Sequence, residues 1–277
     1  MQVQPVRNYN DFNNYFGGGR WLRSMARSAA VFGLSVGRSI GRTTGWVRFP
    51  YYHHVFDDER HGLARQLDYL RGFGEFISLD NVVSLLESGD TIDGCYFCIT
   101  IDDGFKNCVT NALPILLDRG TTAAFFLATS YIGLDPEKDK EMCLGFFDNG
   151  NILMEFLDWD DCRKLAAADM TVGSHTVSHR RLTDLTEEDA RRELDSSKAM
   201  IEENLDRPCE HFCCPFGIPG HDFNIERDPG LAKAVGYKSM LTTERGATRQ
   251  GDLPHRVRRD HTLANWGNHQ LRYFMSL

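Results

Sequence analysis

Two aspartates stand side by side in the run Thr100-Ile101-Asp102-Asp103-Gly104, and two histidines stand four residues apart in Gly173-Ser174-His175-Thr176-Val177-Ser178-His179. Adjacent carboxylates raise each other's pKa and are costly to bury, and a bound cation removes that cost. Histidines at i and i+4 lie on one face of a helical turn, so both imidazoles reach one metal ion. One aspartate and two histidines make a three-ligand metal set that leaves room for water and substrate. The other aspartate is then free to act as a base. The zinc-protease pattern is absent, because no glutamate follows the first histidine. Taken singly, each cluster also has a bland reading: an Asp-Gly turn in a solvated loop, or two surface histidines near a helix start. A third cluster, Phe212-Cys213-Cys214-Pro215-Phe216-Gly217, carries no evident side-chain catalyst. Its proline and glycine fit a rigid loop that presents backbone N–H groups.

All three clusters fall just after apolar runs of strand character. The pattern from residue 47 onward predicts strands over Val47–Tyr52, Tyr96–Ile101, Thr122–Ala128, Met170–Val172, His211–Cys214 and Lys238–Thr242. Between them the sequence predicts helices over Gly62–Phe73, Asn81–Glu87, Cys108–Arg119, from Asp158 to about Ala168, from Thr186 to about Leu205, and over Pro229–Val235. Asp158 with Asp161, and Thr186 with Asp189, are spaced as helix-capping pairs. Residues 133 to 156 form an irregular insertion. Strands alternating with helices imply parallel pairing and an α/β fold, and seven or eight such units suit a barrel with its chemistry at the C-terminal strand ends.

Two regions are expected: an N-terminal extension over 1–45 and a (β/α) barrel domain over 46–277. The first 18 residues are rich in Asn and Gly and are expected to be flexible. Over 20–38, Trp21, Met25, Ala29, Phe32 and Val36 share one helical face, and Arg20, Arg23, Arg27 and Arg38 cluster on the other. Such a basic amphipathic helix can lie on an anionic membrane or pack against the main domain or a partner subunit.

The 277 residues are 42% hydrophobic and 25% charged, with a net charge of −8. This is a globular composition with no basic face for nucleic acid. No run approaches the ~20 apolar residues of a membrane span. Eight cysteines, several inside apolar runs, fit buried free thiols, and Cys95-Tyr96-Phe97-Cys98 reads as packing rather than as a redox or zinc pair. A cytoplasmic, at most membrane-peripheral, protein is expected.

Taken together, the three clusters resemble the polysaccharide deacetylases, the NodB-homology or carbohydrate esterase family 4 enzymes. Thr100–Gly104 is similar to that family's Thr-Phe-Asp-Asp-Gly motif, Ser174–His179 to its two-histidine signature, and Pro215-Phe216-Gly217 to its Pro-Tyr-Gly loop. Asn111–Pro114, Phe125–Leu127 and Trp159 also fit, and the likeness spans roughly residues 48 to 257. The resemblance implies a deformed (β/α) barrel with fewer than eight full units. It implies Asp103, His175 and His179 as ligands of a divalent metal, usually zinc, and Asp102 as the general base. The backbone N–H of Phe216 would help hold the oxyanion, with Pro215 and Tyr52 as neighbouring substrate-binding residues. Two departures stand out. Cys213 occupies the place of an Arg that orients the base, and the C-terminal Leu-x-His source of the acid is not evident. Tyr52-His53 resembles an N-terminal Tyr-His motif of some members, which makes His53 the expected acid, with His54, His255 and His261 as rivals.

The function this implies is removal of the N-acetyl group from an N-acetylhexosamine in a glycan, glycolipid or nucleotide-sugar precursor, as in exopolysaccharide biosynthesis. The same barrel would also serve a deformylase, another small-amide hydrolase, an O-acetyl hydrolase, or a non-catalytic glycan-binding or assembly protein.

Overall fold

Seven short strands pair in parallel: β1 (Pro50–Tyr52), β2 (Ile99–Ile101), β3 (Ala123–Leu127), β4 (Thr171–Ser174), β5 (His211–Cys213), β6 (Ser239–Leu241) and β7 (Asp260–His261). A computed structural model describes the chain over residues 4–15, 21–147 and 150–276, with only the backbone described over 21–25. The strand order is β7-β1-β2-β3-β4-β5-β6. The two ends of that order are joined by one segment. Val257 N donates to Met240 O, and Thr242 N donates to Val257 O. A few residues on, Asp260 N donates to Phe49 O and Thr262 N to Tyr51 O. The sheet therefore curls into the deformed (β/α) barrel expected from the sequence.

Side chains alternate along each strand with the period of two that pleating imposes. On β3, Ala124 and Phe126 face the barrel interior with Phe49, Cys213, Leu241 and Val257. Ala123, Phe125 and Leu127 face outward into the larger core beneath the helices. Helix Leu79–Ser88 closes the interior from below through Leu79, Val82 and Val83. The capping pairs form as the spacing predicts. Asp158 accepts from Asp161 N at 2.8 Å and Asp161 accepts from Asp158 N at 3.3 Å, opening the helix Trp159–Ala167. Thr186 accepts from Asp189 N and opens Glu187–Leu205.

Two expected strands are each divided. Val47–Tyr52 and Tyr96–Ile101 break at Phe49 and Cys98, and their first halves leave the barrel. Trp46–Arg48 and Cys95–Phe97 form a separate parallel sheet with Glu75–Phe76. Apolar continuity cannot reveal such a break, because Phe49 and Cys98 at the breaks are themselves buried and apolar. All eight cysteines are free and seven are buried, as the packing reading expects.

The leader departs from expectation. Residues 9–15 form a helix (Tyr9–Tyr15), and Val6, Tyr9 and Phe12 pack against the main core. Val6 N donates to Leu153 O, and Tyr9 N donates to Asp58. Three apolar side chains at steps of three are enough to dock a segment otherwise dominated by polar residues. Residues 1–3 and the Gly17-Gly18-Gly19 run lie outside the described residues, as does Arg20. A second helix, Trp21–Ser35, runs beside the C-terminal helix Asn268–Met275. Among the described residues no helix is long and apolar enough to cross a membrane.

Candidate active site

Parity along β2 decides where the first aspartate points. Ile99 and Ile101 face the outer core, so Thr100 and Asp102 point inward. Asp103 follows with φ +73, a left-handed conformation that turns its carboxylate back over the barrel mouth. Gly104 continues the turn at φ +80, where a Cβ would lie 2.9 Å from Ile132 Cδ1, so a side chain there would be both strained and crowded.

The two histidines leave the end of β4 in an irregular loop rather than on the helical turn expected from their spacing. Thr176 and His179 both have positive φ, at 65° and 55°. Glu193, from helix Glu187–Leu205, holds this loop by accepting from Val177 N, Ser178 N and Ser178 Oγ. Thr129 N and Ser130 N donate to Thr176 O and Val177 O from the other side. The outcome is the convergence that a helix would also have given.

Asp103 Oδ1 lies 3.5 Å from His175 Nε2 and 3.3 Å from His179 Nε2. These ligand atoms lie within 4.8 Å of one another, as a metal site requires. His175 Nδ1 donates to Cys213 O at 2.7 Å, which leaves the Nε2 lone pair facing Asp103. Asp103 Oδ1 is buried and accepts no well-formed hydrogen bond. A buried carboxylate oxygen without a donor is expensive, and a divalent cation between it and the two imidazoles removes the cost. The donor set, one carboxylate and two imidazole nitrogens, suits zinc.

Asp102 lies alongside. Burial alone would raise its pKa, but Arg259 outweighs that and holds it below the usual carboxylate range. The guanidinium donates from NH1 to Oδ1 at 2.8 Å and from NH2 to Oδ2 at 2.7 Å. Arg259 is itself fixed by Thr242 O and by Thr100 Oγ1. The arginine that Cys213 displaces from the third motif is thus replaced from just before β7. Its signal was present: Val257 faces the interior, and two residues on Arg259 must do the same. Cys213 Sγ lies 3.7 Å from Asp102 Oδ2 as a third, weak donor.

A cleft of about 460 Å³ opens over these groups. His53 and His261 line one side, with ring centroids 5.7 Å apart, and Tyr51 packs against both. Burial lowers the His53 pKa, while the charges of Asp103 and Asp102 pull it up. Burial lowers the His261 pKa to about 3, with His53 and Arg245 adding to the effect. His54 is buried against Glu59 and His255 Nε2 donates to Tyr237 O, both away from the cleft. Tyr52 is a correction. Its parity is opposite to that of Tyr51 and His53, so it is fully buried in the outer core and donates to Gln66 Oε1. Tyr51 takes its place on the cleft wall.

The opposite wall is aromatic. Phe216 has φ +59 and its carbonyl accepts from Thr243 Oγ1. Its backbone N–H donates to no acceptor among the described residues. Gly217 follows with φ +77, where a Cβ would lie 2.8 Å from Thr243 N. Pro215 is buried beneath this turn and shapes it rather than lining the cleft. Arg181, ion-paired to Asp222, lies 4.0 Å over the Phe216 ring. The insertion supplies Phe146, stacked on His179 at 4.6 Å, and Phe147. The sequence reading missed Arg259, Arg181, Phe146, Phe147 and Tyr51.

With the geometry in place, three comparisons bear on it. Residues 91–237 match the family model for polysaccharide deacetylase. A stretch of 167 residues is 27% identical to YxkH of Bacillus subtilis (strain 168), a protein named for that same family. The stretch covers 58% of this chain and 50% of YxkH, so the chain spans about half the length of this curated relative. IcaB from Ammonifex degensii superposes with a TM-score of 0.69 at 20% identity, over 85% of this chain and 98% of IcaB. Streptococcus pyogenes deacetylase PplD, solved with acetate, gives 0.67 at 18% identity, over 84% and 99%. A de-N-acetylase from Aggregatibacter actinomycetemcomitans gives 0.67 at 15% identity, over 83% and 99%. At these identities the structural likeness establishes the barrel fold.

Proposed function

The chain belongs to the polysaccharide deacetylase family, and from that premise we propose that it is a metal-dependent hydrolase that removes the N-acetyl group from an N-acetylhexosamine in a glycan or glycan precursor. One observation carries the reading: the donor-poor oxygen of Asp103 and two imidazole nitrogens converge beside a separately buried Asp102–Arg259 pair. Two adjacent carboxylates thus have different partners, which is how one site keeps a ligand and a base apart.

Asp103, His175 and His179 would hold the ion. When bound, a divalent metal polarises the amide carbonyl and brings the pKa of a water towards ~7. Asp102 accepts a proton from the attacking water. Arg259 holds its proton affinity low and keeps Asp102 ionised, so that it is free to accept. The Phe216 N–H faces the cleft as a donor for the oxyanion. His53, coupled electrostatically to both aspartates, gives the proton to the leaving amine. Burial favours neutral imidazole at rest, so the proton that His53 passes to the amine is the one Asp102 has taken from the water. His261 lines the cleft beside His53, and among the groups that set its pKa no aspartate is prominent.

The test is acetate release from N-acetylated oligosaccharides and nucleotide sugars by metal-loaded and chelated protein, beside Asp102→Asn. Acetate release that depends on metal and on Asp102 supports the reading. Formate release from formylated sugars, or ester cleavage alone, would transfer the activity to another acyl group. Glycan binding with no acyl release under any metal would leave a binding protein.

A further inference from the structure

The helix Trp21–Ser35 docks on the fold in an unusual sense. Its buried residues beyond position 25 are Val31 and Ser35, with Ser28 half-buried beside them. Ser28 Oγ and Ser35 Oγ hydrogen-bond to His269 and Arg272 of the C-terminal helix. Beyond position 25 the helix is therefore held by a narrow, largely hydroxyl stripe. Its outward side carries most of its described apolar residues, on two flanks: Ala29 is exposed and Phe32 57% exposed on one, Leu34 is 56% exposed on the other, and Val36, just past the helix end, is 68% exposed. A helix that stabilises a water-soluble core does the opposite and buries that side.

Charge around this corner is equally one-sided. No Asp or Glu occurs between Asp11 and Asp57, a stretch with six arginines, and none occurs after Asp260, in a chain whose net charge is −8. Arg27 and Arg42 are exposed. Arg38 lies over the Tyr273 ring at 4.9 Å and Arg245 over the Phe274 ring at 4.5 Å. Trp266 stacks on Phe274 at 4.9 Å. Exposed aliphatic and Phe side chains, half-buried Trp and Tyr rings, and unopposed arginines are the complement of a membrane interface with anionic headgroups.

We propose that the corner built from helices Trp21–Ser35 and Asn268–Met275 lies on an anionic lipid surface. Phe32, Leu34 and Val36 enter the headgroup–acyl boundary, and Arg27, Arg38 and Arg42 face the phosphates. The contact is peripheral and does not depend on the deacetylase reading of the cleft.

The experiment is co-sedimentation of the full chain with phosphatidylcholine vesicles, with and without phosphatidylglycerol, at low and raised salt. Binding that requires phosphatidylglycerol and weakens with salt is expected. The double variants Phe32→Ser/Leu34→Ser and Arg27→Gln/Arg42→Gln each lower the partition coefficient by roughly tenfold or more. Both keep the wild-type thermal unfolding curve, since these side chains are exposed. Equal binding to phosphatidylcholine alone, or no response to either variant, overturns the proposal. So does a dimer in light scattering that Phe32→Ser/Leu34→Ser dissociates while the wild type ignores vesicles, because the face then covers a second copy of the chain.

Discussion

Arg259 and Asp102 meet as a fork on a fork, two parallel hydrogen bonds of 2.8 and 2.7 Å with both side chains shut away from solvent. A lysine keeps the charge at that point but cannot make the paired contact. Arg259→Lys is expected to lower kcat by roughly tenfold to a hundredfold while the metal still binds. Arg259→Met leaves the carboxylate buried without its partner and costs about 3–5 kcal/mol in urea unfolding. Wild-type kcat in Arg259→Lys would show that the pair does not tune the base.

The ligand set is separable from the base by metal content. Asp103→Asn, His175→Ala and His179→Ala should each abolish stoichiometric metal in elemental analysis, whereas Asp102→Asn should retain it. Activity should fall by about 10²–10⁴-fold in Asp102→Asn. Loss of metal from Asp102→Asn, with retention in Asp103→Asn, would exchange the two assignments.

His261 makes stability depend on pH in a defined direction. Burial keeps it neutral in the folded protein down to about 3, while in the unfolded chain it takes up a proton below its ordinary value of 6.5. Between those values the unfolded state binds more protons, so stability falls as pH falls. His261→Gln removes that contribution, and its thermal midpoint should drop less steeply from about pH 6.5 downwards. Parallel curves for the two proteins would show that His261 protonates in the folded state.

Phe146 connects the insertion to the site through its stacking on His179. Replacing it with alanine removes part of the cleft wall without touching Asp102. KM for an N-acetylated oligosaccharide should rise by up to roughly tenfold, with a smaller change in kcat. Steady-state kinetics decide it, and an unchanged KM would remove Phe146 from substrate contact.

The residues of the candidate site were more legible than those that hold them. Asp102, Asp103, His175 and His179 stand out because their side chains have few cheap fates in a core. Their positions at strand ends follow from apolar runs that stop just before them. Tyr52 was misplaced by one residue, which on a strand means the opposite face. Arg259 went unseen because an arginine among Arg256 and Arg258 reads as solvated surface, and only the parity set by Val257 turns it inward. Phe146 and Phe147 lie in an irregular insertion with no period to say which side they face. The histidine loop shows a different limit. Its spacing predicted convergence correctly but through a helical turn, whereas Glu193 and two left-handed residues supply the bend.

The segment from Val257 to Thr262 hydrogen-bonds to both ends of the strand order and carries Arg259 and His261 between its contacts. Asp102, just after the second strand, therefore waits for a partner 157 residues later in the chain. During synthesis Asp103, His175, His179 and the first five strands can assemble while Asp102 still lacks its guanidinium. Contacts this distant in sequence close late in folding. The last arc of the barrel is thus also the step that completes the proposed site: chains released short of this segment would carry Asp103, His175 and His179 but leave Asp102 without its guanidinium.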